Sequence, residues 1–146
     1  MVYKQGNNMM KANIITEENI TRFVHNFYKK VRSDKELSPI FISAIGNDEA
    51  KWGPHLQRMA DFWSSIMLAS RKYHGNPFKK HKDLPPFDII FFDRWLELFA
   101  ETATELYTTS NADLFIEKSK RIATSLKLGL YYKPAVLDFV RQDHES

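Results

Sequence analysis

Four side chains in this sequence combine reactive chemistry with a constrained position. His81 lies in NPFKKHKDLPPF (residues 76–87), between a proline that opens a segment and a proline pair that closes it. Pro85 and Pro86 have fixed φ and lack a backbone N–H, so no helix runs through them, and any helix carrying His81 is very short. An imidazole held at such a break can ligate a metal. Flanked by Lys79, Lys80 and Lys82, the same residue also reads, and more simply, as an exposed loop histidine. The other three are Tyr28, His55 and Trp95, each a polar group on an otherwise apolar helix face. Taken singly, such a Tyr or Trp is an ordinary core residue whose O–H or N–H finds a partner, and a lone His is a satisfied structural one. Taken together, three separate helices each aim one hydrogen-bonding group inward. Burying these groups without partners would cost about 1–3 kcal/mol each, a cost that a cavity with a polar ligand removes.

The elements that position these groups are all helical. A helix is predicted from Thr16, a good N-cap, with Glu17 and Glu18 placed against the positive end of its dipole. Its apolar residues Ile20, Phe23, Val24, Phe27, Tyr28 and Val31 recur at spacings of three and four, which marks one buried face. A short turn follows from Ser38-Pro39 to Gly46. Asp48 and Glu49 signal the next helix, with Gly53-Pro54 as a possible kink. Beyond it, His55, Met59, Phe62, Trp63, Ile66 and Met67 share a face. Residues 70–77 form a loop punctuated by Gly75-Asn76-Pro77. After the proline pair, Asp88 is the expected N-cap of a strongly apolar helix carrying Ile89, Phe92, Trp95, Leu96, Phe99, Ala103 and Leu106, widened by Phe91 and Leu98. A last helix is expected from Asn111 to Tyr132, stopped by Pro134. The sequence thus predicts one all-α domain over residues 1–146, with 1–13 and 134–146 as flexible or irregular tails.

Composition narrows the class further. At 146 residues the chain is long enough to bury a substantial core, and its aromatic share of 14%, with 11 Phe, 6 Tyr and 3 Trp, is high for a small soluble domain. Gly and Pro are scarce, which argues against a disordered chain and against all-β architectures. No run of about eighteen apolar residues is present, so no membrane insertion is expected. The opening residues lack a signal-peptide core, and with no Cys there is neither a disulfide frame nor a thiolate metal site; a cytoplasmic protein is the expectation. The net charge of +3 and a pI near 9.0 leave a helical nucleic-acid- or protein-binding module as an alternative. The basic residues do not align along one helix face, however, as a phosphate-tracking surface requires, so no nucleic-acid partner is expected.

Four stretches carry a family resemblance: FYKKVRSDKELSPIF (27–41), WGPHLQRMADFW (52–63), YHGNPFKKHKDLPPF (73–87) and FFDRWLELF (91–99). Together, and over about Ile20 to Leu130, the sequence resembles the group III truncated haemoglobins. The resemblance implies a truncated globin-like two-over-two helical sandwich that holds haem b. It implies His81 as the proximal iron ligand, Tyr28 and Trp95 as the distal hydrogen-bonding pair, and His55 at the distal helix position. Phe41, Met59, Phe62, Trp63, Leu84 and Phe87 match positions that wall the haem, and Arg58 and Lys80, with Lys79 and Lys82, are candidates to meet its propionates.

The function so implied is reversible binding of O₂, nitric oxide or carbon monoxide at a five-coordinate ferrous iron. Several distal donors suit tight O₂ retention better than oxygen transport, and hence redox chemistry of nitric oxide or oxygen species. Nitric oxide dioxygenase and peroxidase-like activities are the enzymatic versions. No flavin-binding pattern is present, so turnover would draw on a separate electron-donating reductase. The chain is expected to act as a monomer.

Overall fold

In the computed structural model, residues 11–82 and 87–131 are described. Among them, six helices follow in order: α1 (Glu17–Ser33), α2 (Ser38–Ile45), α3 (Glu49–Leu68), α4 (Pro77–Lys82), α5 (Phe91–Leu106) and α6 (Thr109–Tyr131). α1 packs against α3 on one side and α5 on the other, while α5 and α6 fold back on each other across a two-residue link. Two helix pairs, α1 with α3 and α5 with α6, therefore stack as the expected two-over-two sandwich. The short α4 rests against α6.

Local chemistry explains the helix boundaries. Thr16 Oγ1 accepts the Asn19 N–H (3.1 Å) and Asn19 Oδ1 accepts the Thr16 N–H (2.9 Å), so two donors at the start of α1 are satisfied reciprocally. The predicted row Ile20, Phe23, Val24, Phe27, Tyr28 and Val31 is buried throughout. The stretch expected as a turn after Ser38 is long enough for a two-turn helix, opened by Pro39 and closed by Gly46 at φ +99°. α3 runs unbroken through Gly53-Pro54, capped by the Asp48 carboxylate on the Ala50 N–H (3.0 Å). Ile66, placed on its apolar face from sequence, is instead exposed. Asp88 does not cap α5 directly. It accepts the Ile90 N–H (3.0 Å) in a preceding turn, and the helix proper opens at Phe91.

The core lies where α1 crosses α5 and α6. Phe23 meets Phe99 edge-on at 4.8 Å and Phe115 at 5.0 Å, Trp63 meets Phe99 at 4.9 Å, and Tyr107 stacks on Phe115 at 4.6 Å. Offset and edge-to-face rings of this kind add to the stabilisation from burial alone. Part of the segment expected as a tail is tied down: the Ala12 N–H donates to the Leu106 carbonyl (2.9 Å) and the Ala12 carbonyl accepts the Thr108 N–H (3.0 Å). The expected tail 134–146 and the proline pair lie outside the described residues. Among the described residues, no helix is long and apolar enough to cross a membrane.

Candidate functional site

Tyr28, His55 and Trp95 converge because α1, α3 and α5 each turn one apolar row toward the same space. Tyr28 is 5% exposed, and its ring meets Phe27 at 4.8 Å, His55 at 5.3 Å and Phe41 at 5.9 Å. Burial pushes its phenol above the ordinary value, while a hydrogen bond with the Trp95 side chain pulls in the other direction. The phenol therefore stays protonated and able to donate at any working pH. Trp95 stands edge-on to Phe27 at 5.3 Å and lies nearly parallel to Phe99 at 5.2 Å, which ties it to the core behind it.

His55 is half-buried. Among the described residues, its Nε2 is the buried side-chain polar atom without a hydrogen-bond partner. Burial, then the positive charge of Arg58, then His81, lower its pKa from 6.5 to about 4, so the imidazole is neutral near pH 7. A buried nitrogen without a partner is costly unless something else completes it.

His81 sits on α4, whose start follows helix-entry rules: Asn76 Oδ1 accepts the Lys79 N–H (3.1 Å) and Pro77 takes the first helical position. His81 Nδ1 lies 2.7 Å from the Pro77 carbonyl. A carbonyl can only accept, so this contact places the proton on Nδ1 and leaves the Nε2 lone pair for a metal.

The residues expected to wall a cofactor do not all fall in one place. Phe41, Met59 and Phe62 are half-buried at the edge of the core. Trp63 is 3% exposed and packs on Phe99 and Phe115 (5.8 Å), which makes it a core ring. Phe87 belongs to a smaller cluster with Phe92 (5.8 Å), Ala123 and Leu126. Arg58 and Lys80 are exposed, and Leu84 lies outside the described residues.

Sequence reasoning missed Trp52. It is fully buried, and its ring meets His55 edge-on at 5.3 Å and Tyr28 at 6.1 Å. The signal was present, since Trp52, His55, Met59 and Phe62 continue one helical stripe; the Gly53-Pro54 pair obscured it. A cleft of about 400 Å³ between α1 and α3 reaches Tyr28 from the solvent side, lined also by His25, Lys29, Arg32, Glu49 and Leu56.

No protein-family model matches this chain. The chain is 38% identical over 122 residues to the Campylobacter jejuni protein named Group 3 truncated hemoglobin ctb, a match covering 84% of this chain and 96% of that one. The fold is similar to a crystal structure of group III truncated hemoglobin from Campylobacter jejuni, with a TM-score of 0.81, 38% identity, and coverage of 84% of this chain and 96% of that chain.

Proposed function

The chain belongs to the group III truncated haemoglobins, and on that premise we propose that it holds haem b through His81 and binds diatomic gases under Tyr28, Trp95 and His55. The observation that carries this reading is the buried, unpartnered Nε2 of His55, in a cluster that also contains two donor-bearing rings. The anchored Nδ1 of His81 supports it from the other side, because it fixes the tautomer that a haem iron needs. Phe41, Met59 and Phe62 supply apolar surface for the porphyrin, and Arg58 and Lys80 supply exposed cations for its propionates. When bound, haem supplies an iron with an open sixth position for a gas.

The protein's own contribution is orientation, polarity and exclusion of water. Trp95 Nε1–H donates to the Tyr28 oxygen and so orients the phenol, whose own O–H is left to favour a gas that accepts hydrogen bonds over carbon monoxide. His55 stays neutral and is able to donate or accept at Nε2. We read this as tight O₂ retention serving redox chemistry of nitric oxide or oxygen species, with electrons from a separate reductase. A peroxidase-like reading draws on the same neutral His55, since its Nε2 can take a proton from a peroxide substrate.

The test is an absorption spectrum of freshly purified protein, with and without carbon monoxide. A Soret band that shifts on adding the gas is expected. His81→Ala is expected to lose haem on a desalting column that wild type survives. Absence of the band in wild type sinks the haem reading in favour of a haem-free helical module.

A further inference from the structure

No hydrogen bond at Nε2 orients the His55 ring. Two rings stand edge-on against it, Tyr28 at 5.3 Å and 84° and Trp52 at 5.3 Å and 88°. Trp52 is held on every side that matters. Its Nε1–H donates to the Gly46 carbonyl (2.8 Å), which a glycine at φ +99° turns toward it. The Arg32 guanidinium lies 4.5 Å from the indole centroid. Arg32 is in turn held by two contacts to the Glu49 carboxylate, at 2.8 and 3.3 Å. The indole is thus held by a hydrogen bond along one edge and by a cation over one face.

We infer that Trp52 is a positioning residue for His55: its ring fixes the tilt of the imidazole and keeps water from that side. This rests on the distal assignment of His55 above. Trp52 acts through His55 rather than on the gas. Burial is the largest cause of the lowered His55 pKa, ahead of the charges on Arg58 and His81, and the Trp52 ring supplies part of that burial.

The experiment is an NMR titration of the His55 imidazole in wild type and variants, each as the carbon monoxide complex. In wild type the midpoint is expected well below the ordinary 6.5, because the imidazole is desolvated. In Trp52→Leu it is expected to rise by about one unit, roughly a tenfold gain in proton affinity, since only the shielding on that side is lost. Trp52→Phe keeps an edge-on ring and is expected to restore most of the wild-type midpoint. An unmoved midpoint in a folded Trp52→Leu overturns the inference, as does a Phe variant that shifts as far as Leu. Should Trp52→Leu fail to fold, the charge-neutral Trp52→Met decides: a rise supports shielding by the ring, and no change overturns it. The titration is read equally in haem-free protein, so a missing Soret band and an unmoved midpoint are separate failures.

Discussion

Around Phe99 the molecule is closed, whereas around His55 an equally aromatic region is left unfinished. Phe99 is fully buried against Phe23, Phe27, Trp63 and Trp95, at 4.8, 5.3, 4.9 and 5.2 Å. Polar groups near this core have partners: Tyr107 O–H donates to Asn19 Oδ1 (2.9 Å) and Thr102 Oγ1 to the Leu98 carbonyl (2.8 Å). The other region has Phe41, Met59 and Phe62 only half covered, and a buried imidazole nitrogen without a partner. The same residue types thus do two jobs. Complete burial with satisfied polar atoms marks the part that holds the fold, and incomplete burial with an unmet polar atom marks the part suited to hold something else.

The sharpest break of this contrast is truncation on each side. Phe99→Ala is expected to cost about 3–5 kcal/mol in denaturant unfolding of haem-free protein. Phe62→Ala, losing a half-exposed ring, is expected to cost only about 1–2 kcal/mol. Equal costs would mean that both faces are core. Next in size is a pH effect. His55 has a folded pKa below its unfolded one, so the unfolded chain binds the extra proton between about pH 6.5 and 4, and stability falls as pH drops through that window. The lost stability is on the order of 2–3 kcal/mol, and urea unfolding of His55→Leu should show a correspondingly flatter dependence. The smallest effect falls on the gas itself. Tyr28→Phe removes one donor without changing the packing and is expected to speed O₂ dissociation about 10- to 100-fold in stopped flow, the weight of a hydrogen bond of ~1–3 kcal/mol. A rate equal to wild type would remove Tyr28 from the distal set.

What the sequence made legible follows from periodicity and from proline. The buried row of α1 was readable residue by residue, and the shortness of α4 followed from the prolines after it, because both are rules about backbone geometry. Trp63 shows the limit: its spacing placed it on the His55 face, but a ring at the edge of a stripe can lean either way, and Phe99 and Phe115 draw it into the core. The Asp34 carboxylate was missed for another reason. It accepts the Leu37 and Glu36 N–H groups (3.0 and 3.1 Å) ahead of α2 and pairs with Arg94 (2.7 Å) of α5, and a contact between residues so far apart leaves no local pattern. Burial would raise that carboxyl, yet the bonds from Arg94 and the two amides hold it below its usual range.

The stitch between Ala12 and the α5–α6 corner has a kinetic meaning. It joins the front of the described chain to the corner ahead of α6, so it gains nothing until the helices between, α1 to α5, have docked. Its two amide protons, on Ala12 and Thr108, are therefore a clock for the closure of that loop: pulse-labelled refolding should find them protected after the amides of α1.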